Sequence, residues 1–435
     1  MGQGPQLPHC ELSHGEEAFP GRWVRQQSLP AYHLNRSTWA ELGMNEIRDQ
    51  PEHRHNWGRC PRTRPQYMWT AHRCKLLELD RFSVCQQRLL GRQALFVGDS
   101  TTAQLFVSVV LLLGGRFGKN RVRGGTFVMA TASACDDDLR LSFVRSDLLL
   151  WTQLTAPAAA AQRCSTGMLN YRFTQQAVLD ADVLIMGLGQ HFASLIFSAQ
   201  SHRRHQAYAF FTGNLNRTLA SARALRAMHG RPDPASIIVV GASVPVAGCE
   251  LATSPSSATA AAFTAATSRH PYGASWWHLS RINQLARWMA VEAGVSFMDL
   301  ATLSSMRADD TLGHYWPAHR AGGATDCVHY CLPGVVDTFS RLLFHILFRT
   351  ARQGRGAPTS VLSSSGHHRK LRFFNHTGWL TTRGASRHLE GCDSLCARMF
   401  GSDDSLAAQW WWPYKNSNCT LHSRANSVSK DEASQ

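Results

Sequence analysis

At 435 residues, with 44% hydrophobic and 17% charged content, the chain carries enough apolar material for a large core, which excludes a disordered or low-complexity protein. An excess of 45 Lys and Arg over 30 Asp and Glu leaves a net charge of +15. The basic residues are scattered, without an Arg/Lys stripe, an RNA-binding signature or zinc-finger spacing, so the charge suits polyanionic glycans or solubility rather than nucleic acid.

Twelve cysteines stand at Cys10, Cys60, Cys74, Cys85, Cys135, Cys164, Cys249, Cys327, Cys331, Cys392, Cys396 and Cys419. Their even number and wide spacing predict disulfides formed in an oxidising compartment. Four N-x-Ser/Thr sequons, at Asn35, Asn216, Asn375 and Asn418, point the same way, to a secretory-pathway or Golgi lumen. Residues 1–30 nevertheless hold no signal peptide, and no apolar run reaches the ~18 residues of a membrane span. Met1-Gly2 is not followed by the Ser or Thr that a myristoylation signal requires. The expectation is that the natural N-terminus, with any membrane anchor, lies outside this sequence; the alternative is a cytosolic protein with free thiols.

Residues 1–92 are rich in aromatic, Pro, Arg and His residues with weak periodicity, and read as an irregular N-terminal segment clipped down by cysteines and packed on a main domain. The main domain spans 93–351. Its anchor is Ala94-Leu95-Phe96-Val97 running into Gly98-Asp99-Ser100, followed by an apolar helix from Ala103 to Leu113. Strand, turn and helix put Ser100 at the carboxyl end of a strand beside a helix N-terminus, where backbone N–H groups stabilise an oxyanion. A serine there is equally a plain helix N-cap.

Further strand-length apolar stretches lie at 141–145, 182–187, 236–242 and 295–300. Two helices stand out. One spans 276–293, with Ile282, Leu285, Ala286, Met289 and Ala293 in phase; the other spans 334–350, with Val335, Val336, Phe339, Leu342, Leu343, Ile346 and Leu347 on one face. Alternating strands and helices imply an α/β protein with a mostly parallel sheet covered on both sides, whose ligands bind beyond the strands' carboxyl ends. The Ala/Ser/Thr-rich run 251–268 reads as a loop insertion. Residues 352–370 read as a linker. The tail, 371–435, reads as a non-catalytic partial repeat of the N-terminal segment, because Gly378-Trp379-Leu380 resembles Gly21-Arg22-Trp23-Val24 and Cys419-Thr420-Leu421 resembles Cys74-Lys75-Leu76.

A serine hydroxyl needs a base to become a nucleophile, and the base works best when a carboxylate fixes its tautomer. Asp326-Cys327-Val328-His329 supplies both from one loop. Ser100, Asp326 and His329 thus form a complete candidate triad in the order of α/β-type hydrolases, although no Gly-x-Ser-x-Gly elbow is present.

Gly98-Asp99-Ser100, together with the stretch Asp326-Cys327-Val328-His329-Tyr330-Cys331-Leu332-Pro333-Gly334-Val335-Val336-Asp337-Thr338, resembles the PC-esterase family, and within it the plant and algal trichome birefringence-like proteins. Cys10, Gly21-Arg22-Trp23-Val24 and Cys74-x-Leu76 resemble that family's opening segment, so the resemblance covers about residues 10–350. It implies a three-layer GDSL/SGNH-like fold and O-acetylation of cell-wall polysaccharides in the Golgi. It further implies Ser100 as nucleophile, His329 as base, Asp326 as its orienter, and an acetyl-serine intermediate. An acetyl donor of unknown identity is then a required co-substrate, with no bound cofactor. The polysaccharide would be xylan-like or an acidic glycan. Two departures stand out. Gly187-Leu188-Gly189-Gln190-His191-Phe192 replaces a common Asn-Thr-Gly followed by His-Trp, removing a polar side chain at 187. Thr101-Thr102-Ala103-Gln104 replaces a common Leu-Ser-Arg-Asn.

The remaining candidates follow from their places near these motifs. Ser100 and Gly189 are candidate oxyanion donors through their backbone N–H groups. Asp99, Arg145 and His191 are candidate substrate contacts, with an Arg145–Asp147 ion pair and a packed turn residue at His191 as the structural alternatives. Arg307, Asp309 and His314 read as structural or cleft-lining. Cys327, His329 and Cys331 have zinc-ligand chemistry, but disulfides account for the thiols and no metal is expected. Trp276-Trp277 and Trp410-Trp411-Trp412 suit an aromatic core or interface better than sugar stacking. Two readings compete with acetyl transfer: a glycan acetylesterase using the same triad, and a non-catalytic polysaccharide-binding protein.

Overall fold

The structure, a computed structural model, describes residues 10, 21–26, 60, 64–72, 74–77, 80–123, 126–149, 162–163, 169–170, 175–198, 204–230, 236–245, 248–256, 273–315 and 325–356. The linker, the tail with its echo and tryptophan run, the sequons at Asn35, Asn375 and Asn418, the side chains of Trp276 and Trp277, and most of the 251–268 insertion lie outside the described residues.

The strands of more than two residues are β1 (Gly21–Gln26), β2 (Gln66–Ala71), β3 (Gln93–Gly98), β4 (Arg116–Arg123), β5 (Thr126–Ala134), β6 (Leu139–Arg145), β7 (Val183–Gly187), β8 (Ile237–Val240) and β9 (Ser296–Met298). The principal helices are α1 (Arg81–Gln86), α2 (Ser100–Leu112), α3 (Gln175–Asp180), α4 (Gln190–Ser198), α5 (Arg204–Met228), α6 (Gly273–Glu292) and α7 (Val335–Gly356). One sheet of seven strands, in the order β9-β8-β7-β3-β6-β5-β4, forms the middle layer. Its first five strands are parallel, and β5 and β4 add an antiparallel edge. The architecture is mixed α/β with a mostly parallel central sheet. The antiparallel β4–β5 hairpin is an element that the apolar-run reading did not separate out.

Strand alternation splits the core in two. Ala94 and Phe96 of β3, Val183 and Ile185 of β7, and Ile238 and Val240 of β8 face a cluster that includes residues of α2 and α7. Leu95 and Val97, Leu184 and Met186, and Ile237 and Val239 face the opposite cluster, with residues of α4, α5 and α6. A period of two along each strand is what a sheet covered on both faces requires. From β3 the chain moves to β6 on one side of the sheet and then crosses to β7 on the other. This reversal opens a crevice at the carboxyl end of β3.

Within the N-terminal segment the described residues include a two-stranded ribbon. β1 and β2 pair antiparallel in register, Trp23 opposite Trp69, with the two indoles edge-on at 5.5 Å. Part of the segment's aromatic content thus forms a cross-strand pair. The ribbon is held to the main domain by Arg307, whose buried guanidinium lies 4.6 Å from the Trp23 ring centre and 5.0 Å from that of Tyr67. Nearby, the fully buried His345 of α7 accepts a hydrogen bond from the Leu77 N–H at Nδ1 and bonds the Cys10 carbonyl through Nε2. Cys10–Cys74 joins the two pieces covalently.

On the other face, the buried His278 of α6 meets the Tyr208 hydroxyl of α5 at 2.7 Å. Burial, reinforced by the charge of Arg204, pushes its imidazole down to about 4. The unfolded chain therefore takes up a proton near pH 6.5 that the folded chain refuses until about pH 4. Stability from this residue is complete above about pH 6.5 and is lost as pH falls toward about 4, by up to about 3 kcal/mol. Denaturant titrations at stepped pH should show this decline in the native protein and a shallower one in His278→Gln.

Candidate active site

The Gly98-Asp99-Ser100 turn carries the chain from β3 into α2. Asp99, not Ser100, caps the helix: its Oδ1 accepts from the N–H groups of Thr101 (3.0 Å) and Thr102 (3.3 Å) and from the Thr101 hydroxyl. Asp99 is 1% exposed, and one oxygen of the carboxylate expected to touch substrate is taken by the helix end. Capping by Asp99 frees the Ser100 side chain. It also leaves the Ser100 N–H as a first-turn amide with no intrahelical acceptor.

His329 approaches from the loop before α7. Its Nε2 lies 2.8 Å from Ser100 Oγ, and its Nδ1 lies 2.9 Å from Asp326 Oδ2. A carboxylate only accepts, so the Nδ1–H donates to Asp326 and Nε2 is left to accept from the Ser100 hydroxyl. Asp326 Oδ1 also accepts from the N–H groups of Val328 and His329, both at 3.1 Å, folding the four residues into an Asx-type turn. The three side chains that the two motifs supply are therefore in mutual contact.

Several bonds fix this loop. Leu312 N–H donates to the His329 carbonyl (2.8 Å), Gly313 N–H to that of Asp326 (2.7 Å), and Cys331 N–H to that of Asp310 (2.8 Å). A Cβ on Gly313 would lie 2.7 Å from the Cys249 sulfur and 2.8 Å from the Asp326 carbonyl, so this close approach needs glycine. Cys327 is bonded to Cys249 and Cys331 to Cys60, one disulfide on each side of His329. The described residues also bring Glu250 close to the Cys249 and Cys327 sulfurs, but the two sulfurs are bonded to each other and offer no thiolate to a metal.

Asp310 gathers the surroundings of the loop. Its carboxylate takes Arg64 at 3.2 Å and Arg307 at 3.4 Å, and accepts from the Val335 N–H at the start of α7 (2.7 Å). Asp309 pairs with Arg307 at 2.9 Å, and burial pushes its carboxyl up. Burial, and next the charge of Asp310, pushes the Tyr315 phenol up to about 12. Arg307 and Asp309 thus brace the ribbon and the loop rather than facing the serine. Asp310, which the sequence reading passed over, bears most of these contacts.

On the neighbouring strand, β7 ends beside β3 at Gly187. A Cβ at Gly187 would lie 2.0 Å from Thr102 Oγ1, and one at Gly98 would lie 2.3 Å from the same atom. Thr102 therefore occupies the space in which a side chain at 187 would begin. Gly189 follows at φ +136°, packed where a Cβ would fall 2.4 Å from that of Ala242. Opposite, Arg145 at the end of β6 lies in register with Gly98 and pairs with Asp147 at 2.6 Å. The partly exposed His191 stands 3.4 Å from both Arg145 Nη2 and Asp147 Oδ2. Arg145 is thus drawn into an ion pair, and His191 is the open member of the group.

A family model described as PC-Esterase, the GDSL/SGNH-like acyl-esterase family found in Pmr5 and Cas1p, matches residues 83–346, well over half of the chain. Protein trichome birefringence-like 38 of Arabidopsis thaliana is 42% identical over 53 residues, which span 12% of this chain and 13% of that protein. Among solved structures, a catalytic mutant of Axe2, an acetylxylan esterase from Geobacillus stearothermophilus, aligns at 12% identity over 59% of this chain and 94% of its own, with a TM-score of 0.29. A peptidoglycan O-acetylesterase aligns at 11% identity over 63% and 95%, with a TM-score of 0.30. Scores of this size leave the assignment to the observed sheet and to the family match.

The Thr102–Gly187 contact makes a sharp expectation. Gly187→Ala should destabilise the protein by about 1–3 kcal/mol through overpacking. Adding Thr102→Ala to the same chain should recover most of that loss, as a double-mutant cycle read by denaturant unfolding. Simple additivity would mean that the two positions do not compete for one space.

Proposed function

The chain belongs to the PC-esterase family, and from that premise we propose that it is a serine-dependent O-acetyltransferase acting on polysaccharide hydroxyls. The observation that carries this reading is the 2.8 Å contact between His329 Nε2 and Ser100 Oγ, with Asp326 on the other ring nitrogen. Ser100 Oγ attacks the acyl carbon of an acetyl donor while His329 takes its proton. The negative charge on the carbonyl oxygen is met by the N–H groups of Ser100 and Gly189. His329 returns the proton to the leaving group, and an acetyl-serine remains.

In the second half a sugar hydroxyl gives its proton to His329 and attacks the acetyl carbon; the ester bond to Ser100 breaks, and His329 reprotonates the serine. Asp326 keeps the imidazole in the required tautomer throughout. We assign the acceptor contact to His191, the partly exposed member of the group that Arg145 and Asp147 form on the flank of the serine. The net charge of +15 supports a xylan-like or acidic glycan as that acceptor. Water in place of the sugar makes the same centre an acetylesterase, a reading favoured by the family's description as acyl-esterases.

A secretory-pathway lumen is the compartment we assign. Four disulfides among the described residues and the exposed sequon residue Asn216 on α5 support it. Among the described residues no helix is long and apolar enough to cross a membrane.

A fluorophosphonate probe should label the native protein and fail to label Ser100→Ala or His329→Ala. With an acetyl donor and xylan oligomers, mass spectrometry should find acetylated sugar, at least ~10³-fold less with Ser100→Ala. Free acetate without acetylated sugar would reject transfer in favour of hydrolysis. Absence of labelling in the native protein would leave a glycan-binding role.

A further inference from the structure

Gln104 lies one turn beyond Ser100 on α2, so both side chains leave the same face of the helix. Its amide is 1% exposed and bonds twice to a single residue of the loop. Nε2 donates to the Tyr330 carbonyl at 2.6 Å, and Oε1 accepts from the Tyr330 N–H at 3.2 Å. Tyr330 directly follows His329. Its own ring is buried, and its hydroxyl reaches Ser304 and Ser243 beyond the ends of β9 and β8.

We propose that Gln104 is a positioning residue that sets the distance between Ser100 and His329. The inference rests on reading Ser100, Asp326 and His329 as the reacting centre. A side chain with one donor and one acceptor in a fixed plane can saturate both polar groups of one peptide residue. It therefore fixes both the height and the rotation of the backbone it grips. Here the grip joins the helix that carries the serine to the residue next to the imidazole. The bond from Leu312 N–H to the His329 carbonyl holds the loop from the other side. With both in place, the serine and the imidazole belong to one rigid unit, although 229 residues separate them in sequence. The Gln side chain spans the gap to Tyr330, a reach that Asn, shorter by one methylene, would not have.

The requirement is chemical as well as steric. Methionine at 104 fills the space without either bond. A carboxylate can still accept from the Tyr330 N–H but repels the Tyr330 carbonyl, whereas the protonated carboxyl donates to that carbonyl and restores both contacts. A displacement on the order of 1 Å in a reacting pair costs about 10²-fold in rate.

The test uses the full chain and a fluorophosphonate probe, with Ser100→Ala alongside and near-UV circular dichroism recording the folded fraction. Gln104→Met should lower the limiting labelling rate by about 10- to 100-fold while leaving the probe's half-saturating concentration unchanged. For Gln104→Glu the labelling rate relative to native protein should rise on going from about pH 8 to about pH 5, as the introduced carboxyl regains its proton. The other ionisable groups of this region include Asp99 on the helix, Asp326, His329 and Tyr330 on the loop, Asp310 and Arg307 acting on Tyr330, and Asp337 and His345 on α7. They are common to both proteins, so a pH response found only in the variant reports the introduced carboxyl. If Gln104→Met does not fold, the reversible pH response of Gln104→Glu decides the matter. Labelling of both variants within twofold of native protein at every pH overturns this inference alone. A native protein that shows no Ser100-dependent labelling overturns the reading of the site, and this inference with it.

Discussion

The hydrogen bond from the Ser100 hydroxyl to His329 joins points 229 residues apart, and it exists only because the loop around His329 cannot drift. Nothing in the helix that carries the serine specifies where that loop goes. Its place is set by backbone bonds to residues 310–313, by Gln104 on the opposite side, and by two disulfides flanking the histidine. Each backbone bond is worth about 1 kcal/mol net, too little alone to hold a loop against the entropy of freeing it. Together with covalent links at Cys327 and Cys331, they leave the loop few alternatives.

The same loop also organises the periphery. Cys331 is tied to Cys60 in the N-terminal segment, and Asp310, whose carbonyl receives the Cys331 N–H, draws in Arg64 from that segment and Arg307. Arg307 in turn lies over Trp23 and Tyr67 of the two-stranded ribbon. A buried cation needs counter-charges and ring faces to offset its lost hydration, and this arrangement supplies both. The ribbon is therefore coupled to the site through charge and sulfur, although it contributes no residue to the Ser100–His329–Asp326 contact.

Two features beside the serine are tightly constrained. Gly187 ends its strand against the Thr102 hydroxyl, which leaves no room for a side chain there. Asp99 caps α2 through Oδ1, and with the cap supplied there the Ser100 hydroxyl is left to meet His329. Close packing makes such positions interdependent, since a buried volume cannot be both occupied and empty.

Much of the sheet was legible from the chain, because a strand buried on both faces must be a short, nearly unbroken apolar run. Such runs at 93–97, 141–145, 182–187, 236–242 and 295–300 coincide with β3, β6, β7, β8 and β9. The amphipathic face of 334–350 likewise declared α7. The β4–β5 hairpin and the β1–β2 ribbon were not legible, because their stability comes from cross-strand partners rather than from local pattern. At the site, Ser100, Asp326 and His329 were readable as chemistry-bearing types in tight local motifs. Gln104 carried only its spacing from Ser100 as a signal, and Asp310 only its place beside Asp309. The sequence by itself determined which residues can supply a nucleophile, a base and a carboxylate, since those are properties of side chains and short spacings. Only the tertiary structure decided which of them meet, that Arg145 is held by Asp147, and that Gln104 and Asp310 hold the loop, because contact across more than two hundred residues is settled by packing, not by local preference.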